Sequence, residues 1–188
     1  MFASTSPRRL LLAGSLAAIA AALPAAQAAQ AKPVPPPVPT KIQAPAGNEV
    51  FLKRHAIGVQ IYTCNPAAGA YAWSAATPRA DLLDDRGRVI IKHFGGPTWQ
   101  ADDGSKVVGR RVDGVIVDET AIPWLLLDAG QTYSGADGDR LMGTNHIQRI
   151  NTTGGLTPAA ADCNAATART VVEVPYTADY YFWKPRGD

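Results

Sequence analysis

The chain is patterned mainly by short runs in which apolar and polar residues alternate. In the clearest run, Ile57, Val59 and Ile61 fall on one face, which is typical of a half-buried β-strand. Asn, Pro and Gly at 65–69 then predict a turn, and 70–74 predicts the returning strand of a hairpin. Runs of a similar kind predict further strands at 80–84, 89–94, 99–100, 106–117, 122–127, 145–151, 170–174 and 178–184.

These strands are short, and residues that favour turns separate them about every 8–12 positions. No alternation of strands with long helical runs is visible, which disfavours a parallel sheet. The pattern therefore predicts an all-β fold, a single-domain β-sandwich or open barrel with long loops. The longest of these loops is expected at 152–168, which is rich in Gly, Pro and Ala.

Residues 1–28 have the pattern of a secretory signal peptide. Arg8 and Arg9 precede an apolar run, and small residues then mark a cleavage position after Ala28, with Ala31 as the alternative. The apolar run is shorter than the roughly 20 residues that a membrane-spanning helix needs. We therefore expect a periplasmic or secreted protein, exported by the general secretory or the twin-arginine route, with no transmembrane segment after cleavage.

An Ala/Pro-rich segment, 29–47, follows the predicted signal peptide. Proline donates no backbone hydrogen bond and favours an extended polyproline conformation. The segment is therefore predicted to be a linker, and the folded β-rich domain is expected at 48–188.

Removal of the signal peptide changes the charge of the protein. The whole chain has 18 basic and 16 acidic residues, and Arg8 and Arg9 are the charged residues of the signal. The mature chain, of about 160 residues, is therefore neutral and long enough for one domain with its own core. Because no cluster of Lys and Arg remains, neither nucleic acid nor an anionic membrane is expected as a partner.

The mature chain has two cysteines, Cys64 and Cys163. In an exported protein with an even number of cysteines, one disulfide is the usual arrangement. A metal site or a catalytic thiol is the alternative, but the wide separation and the absence of a Cys-x-x-Cys motif disfavour both.

The densest group of chemically active side chains lies at 92–106. His93 and Trp99 flank a Gly-Gly-Pro turn, and such turns can bend a side chain towards a ligand. We predict that both contact a ligand. The alternative is structural, with Trp99 in the core and the glycines marking only the end of a strand.

A second candidate segment contains Gln148 and Arg149, planar side chains with several donors that suit carboxylates or sugar hydroxyls. We include both in the predicted ligand site. The alternative is that the amide of Gln148 bonds to loop backbone, as buried amides commonly do.

The sequence patterns that indicate catalysis are weaker than those that indicate ligand binding. His93 with Asp102 or Asp103 is a possible hydrolytic pair, and Ser105 could complete a triad, but no Gly-x-Ser-x-Gly elbow is present. His93 and His146 lack the spacing of metal-binding motifs, and no nucleotide-binding glycine motif precedes a helix. We therefore expect no metal and no cofactor.

The chain resembles the DUF3455 family, a presumed secreted domain of bacteria and fungi, over essentially the whole mature domain. The resemblance rests on the segments 59–64, 93–99, 103–109, 122–127, 147–155 and 175–182 and on Cys163. The family has no characterised function. Some fungal members carry a malate dehydrogenase label, but this chain has no dinucleotide-binding fingerprint and is not expected to be a dehydrogenase.

Taken with the residues, the resemblance leaves two hypotheses. The first is a non-catalytic envelope or extracellular domain that binds a small molecule, a glycan or an envelope protein through His93, Trp99, Gln148 and Arg149. The second is an exported hydrolase-type enzyme that uses His93 with Asp102 or Asp103. The spatial arrangement of these residues distinguishes the two.

Overall fold

The structure is a computed structural model that describes Met1 and residues 32–187. Nearly all of the predicted signal peptide and both predicted cleavage positions, Ala28 and Ala31, lie outside the described residues. In the described part of the chain, no helix is long and apolar enough to cross a membrane.

The described residues form nine antiparallel strands in one sheet and two 3₁₀ turns, Thr40–Ile42 and Ala160–Asp162. The strands are β1 (Asn48–Ala67), β2 (Ala70–Trp73), β3 (Thr77–Leu83), β4 (Val89–Phe94), β5 (Thr98–Ala101), β6 (Lys106–Val115), β7 (Trp124–Tyr133), β8 (His146–Gly154) and β9 (Val171–Pro185). The all-β fold class predicted from the sequence is confirmed.

The pairing of the long strand β1 determines the shape of the sheet. One edge of β1 pairs with β3 and, beyond it, with β2, while the other edge pairs with β9 from Asn48 to Thr63. Strands β3 to β9 each pair with their neighbours in the chain. Strands β1 and β3–β9 are therefore paired in a closed ring. Strand β2 lies beyond the ring and forms a hairpin with the C-terminal, or distal, end of β1.

The main core lies inside this ring, where alternate side chains of every strand meet. Its members are buried apolar and aromatic residues: Leu52, Ala56, Ala80, Leu82, Ile91, Trp99, Val107, Leu127, Ile147, Tyr176, Ala178, Tyr180 and Phe182.

Strand β1 buries the face opposite to the one expected. The sequence placed Ile57, Val59 and Ile61 on the buried face, but Ile57 is 53% exposed, and Ala56 and Gln60 point into the ring. The reason is the close approach of β1 and β3. A Cβ on Gly58 would collide with the backbone and side chain of Ala80, so the inward position between Ala56 and Gln60 accepts only glycine.

A second apolar cluster lies on the outer face of the ring. Ile42, in the first 3₁₀ turn, is fully buried, and it packs with Leu126, Ile150, Tyr181 and Trp183. The last part of the segment predicted to be a linker, 38–44, is therefore packed against the sheet.

A disulfide joins Cys64, near the distal end of β1, to Cys163 in the loop between β8 and β9. The same loop is held by Tyr62, whose hydroxyl donates to the Gly155 carbonyl oxygen at 2.7 Å. Trp73 Nε1 donates to the Ala159 carbonyl oxygen at 3.1 Å. The predicted disulfide is confirmed, and it fixes the 155–170 loop at the end of the ring where the β4–β5 turn also lies.

Candidate functional site

At this end of the ring the interior opens into a cavity of about 300 Å³, which we name the mouth cavity. This volume is at the lower end of the usual range of small-molecule sites, about 300–1,000 Å³. Each strand of the ring contributes to the lining, through Gln60, Pro78, His93, Trp99, Arg111, Leu125, Leu127, Arg149 and Tyr180.

The aromatic wall of the mouth cavity is produced by strand register. His93 on β4 is directly opposite Trp99 on β5, and the two rings stack with centroids 4.2 Å apart and planes 5° apart. Tyr180 on β9 meets both rings at an angle. Gly109 makes room for the indole, because a Cβ there would lie 2.9 Å from Cζ3 of Trp99. The result is a rigid apolar surface beneath the opening.

His93 is a neutral imidazole in this setting. Burial lowers its pKa to about 3, and the positive charge of Arg149 acts in the same direction. Its Nδ1 lies 2.9 Å from the Thr98 carbonyl oxygen. Since a carbonyl can only accept, Nδ1 carries the hydrogen and Nε2 carries a lone pair. His93 therefore contributes no charge to the cavity.

Two buried donors in the lining have no hydrogen-bond partner among the described residues: Nε2 of Gln60 and Nε1 of Trp99. Gln60 is 2% and Trp99 1% exposed. A buried donor without a partner costs about 1–3 kcal/mol. The other buried atoms without a described partner belong to residues that do not line this cavity. Two buried, unpaired N–H donors of the protein therefore belong to side chains that line the mouth cavity.

The lining also contains two arginines and no Asp or Glu. Arg149 donates from Nε and Nη2 to the Pro123 carbonyl oxygen, at 3.3 and 2.8 Å. In the described part of the chain, neither Arg111 nor Arg149 forms an ion pair with a carboxylate. No carboxylate in the lining therefore neutralises the positive charge of the two arginines.

Three of the four predicted ligand residues, His93, Trp99 and Arg149, lie together in the mouth cavity. Gln148 does not, because adjacent residues of a strand point to opposite faces of the sheet. Its Nε2 donates to the Ile42 carbonyl oxygen at 2.6 Å, and its Oε1 accepts from Trp183 Nε1 at 3.0 Å. Gln148 thus holds the N-terminal segment against the outer face, which was the structural alternative.

Gln60 and Arg111 also line the cavity and were not selected from the sequence. Gln60 gave no sequence signal, because a polar residue between Val59 and Ile61 fits the outward face that the alternation predicts. Arg111 shares the inward face of β6 with Val107 and Gly109, but glycine and arginine do not mark a buried face in the sequence.

The proposed pairing of His93 with Asp102 or Asp103 is not formed. Asp102 pairs with Arg140 at 3.1 Å. Asp103 accepts hydrogen bonds from the hydroxyl and backbone nitrogen of Ser105, at 2.6 and 2.9 Å, and from the Arg140 backbone nitrogen at 2.8 Å. Both carboxylates lie at the β5–β6 turn, the opposite end of β5 from the β4–β5 turn, so they serve local structure there. Among the described residues, no group of three or more His, Cys, Asp or Glu is arranged to hold a metal ion.

Comparison with known proteins gives one family. Residues 45–184 match the family described as "Protein of unknown function (DUF3455)". No curated protein and no solved structure matches the chain.

Proposed function

The chain belongs to the DUF3455 family, and because the description of that family assigns no activity, we propose from the geometry of the mouth cavity that the protein is a non-catalytic domain that binds a small molecule there. The observation that carries the proposal is that two side chains of the lining, Gln60 and Trp99, each have a buried N–H donor, Nε2 and Nε1, without a described partner. A ligand whose acceptor oxygens reached these donors would remove their desolvation cost.

The chemistry of the lining favours binding over hydrolysis. A hydrolytic site needs a nucleophile or an activated water beside a base of suitable pKa. Nδ1 of His93 donates its hydrogen to the Thr98 carbonyl oxygen. Burial lowers the pKa of the imidazole to about 3, so His93 is a weak base. No carboxylate, serine or cysteine lies in the lining to act with it.

We also propose that binding takes place outside the cytoplasm. The predicted signal peptide at 1–28 supports export. The Cys64–Cys163 disulfide supports an oxidising compartment, because such bonds persist in secreted and periplasmic proteins and are rare in the cytosol.

The proposal predicts that Gln60→Met stabilises the protein and weakens binding. The substitution replaces an unpaired buried amide by an apolar side chain of similar length, so the free energy of unfolding should rise by about 1 kcal/mol. The same change removes a donor from the cavity. Unfolding is measured in denaturant, and binding by saturation-transfer NMR with a panel of small organic fragments.

Gln148→Met is the matched control, because Gln148 is equally buried but both its polar groups are bonded. That variant should lose about 2 kcal/mol of stability, since it leaves the Ile42 carbonyl and the Trp183 indole nitrogen without partners, and it should still bind fragments. A loss of stability in Gln60→Met, with unchanged binding, would mean that Gln60 has a structural role only.

A further inference from the structure

The charge and donors of the mouth cavity specify what kind of molecule it takes. We infer that its ligand is a small carboxylate with an apolar body, held by Arg111 and Arg149 at the polar side of the cavity. This inference rests on the proposed function and adds a ligand class to it.

The lining of the mouth cavity is positively charged. Two guanidinium groups border a small cavity that has no acidic side chain in its lining. His93 adds no charge of its own, since it is neutral there. A cationic ligand would be repelled by both arginines, and a neutral ligand would leave the charge of Arg149 without a counterpart in the lining. An anion is therefore favoured.

The hydrogen-bonding groups of the lining also favour a carboxylate. The unpaired groups of Gln60 and Trp99 are N–H donors, and the arginines have only donors. A carboxylate has acceptor oxygens and no donor, so it is complementary to these groups. The planar edge of a guanidinium also matches the two oxygens of a carboxylate.

The mouth cavity suits a carboxylate with an apolar body better than inorganic phosphate, which guanidinium groups also bind. Apart from the hydroxyls of Thr77 and Tyr180, the rest of the lining is mainly apolar: Leu125, Leu127, Pro78 and Pro97, together with the rings of His93 and Trp99. A phosphate dianion has charged oxygens on every side, and those that face this apolar surface would lose hydration without compensation. A carboxylate attached to an apolar body places its charge at the donors and its body against the leucines and aromatic rings.

The test is a titration of the purified, ¹⁵N-labelled protein with benzoate, benzamide, benzylamine and inorganic phosphate. The readout is the indole N–H resonance of Trp99, identified by its absence in Trp99→Phe. Benzoate should shift this resonance and bind about tenfold more tightly than benzamide, because a charge-assisted pair is lost in the amide. Benzylamine and phosphate should leave it unchanged.

Two neighbouring arginines provide a matched pair of variants. Arg111 lines the cavity, whereas the side chain of Arg110 is 77% exposed and pairs with Asp128 outside it. Arg111→Met should weaken benzoate binding by about fivefold to tenfold, and Arg110→Met, which changes the net charge equally, should leave it unchanged.

The outcomes separate the two proposals. If benzamide binds as tightly as benzoate, or if Arg111→Met binds benzoate normally, the carboxylate inference is overturned while a small-molecule site remains. Binding of phosphate alone would also overturn it. If none of the four compounds shifts the Trp99 resonance, neither the inference nor the proposed function of this cavity stands.

Discussion

Replacing both cysteines, in Cys64→Ala/Cys163→Ala, is expected to lower the free energy of unfolding by about 4–5 kcal/mol. The bond joins positions 99 residues apart, and closing a loop of that length restricts the unfolded chain by about this amount in the chain-entropy model. The midpoint of thermal unfolding should fall by roughly 10–20 °C. Calorimetry of the oxidised protein and the double variant measures both quantities.

The wild-type protein in a reductant strong enough to open the bond is the control. Its midpoint should approach that of the double variant, and the same reductant should leave the double variant unchanged. Complete reduction is verified by thiol titration. An unchanged midpoint in the fully reduced protein would contradict a stabilising role for the bond.

Acidification from about pH 7 to about pH 5 is expected to remove about 2 kcal/mol of stability through His93 alone. In the unfolded chain the imidazole takes up a proton near pH 6.5, whereas in the folded protein burial lowers its pKa to about 3. Protons therefore favour the unfolded state between these values, and stability falls as the pH falls through that window. Denaturant unfolding at a series of pH values measures the slope.

His93→Gln isolates this contribution, because a glutamine amide can still donate to the Thr98 carbonyl oxygen but does not titrate. This variant should lose about 2 kcal/mol less than the wild-type protein over the same interval. His55→Gln is the control, since His55 is about half exposed and bonded to Asp179 on the surface. This variant should keep the pH dependence of stability that His93 causes. Parallel pH profiles for wild type and His93→Gln would contradict the buried, neutral imidazole.

The fold class was predictable because strands and turns depend on local patterns, whereas the buried face of β1 was not. The alternation at 57–61 is real, but its apolar members face outwards. Inside the ring, the approach of β1 to β3 leaves no room for a side chain at Gly58, which lies against Ala80. The choice between the two faces is therefore made by a contact between strands that local alternation does not encode.

The candidate site was predictable where turn chemistry and aromatic residues coincide. His93 and Trp99 flank one hairpin turn, and cross-strand register brings them face to face. Gln148 was selected for its chemistry alone, although its neighbour Arg149 was already assigned to the same site and adjacent strand residues cannot share a face. Gln60 and Arg111 join the site only through closure of the ring, which brings distant strands around one cavity.

A crystallographic fragment screen of the protein tests most directly whether the mouth cavity binds a small molecule. We expect fragments bound in the mouth cavity, with an acceptor oxygen within about 3 Å of Gln60 Nε2 or Trp99 Nε1. Fragments found only at other surfaces, with both donors paired to protein groups within the fold, would contradict this expectation.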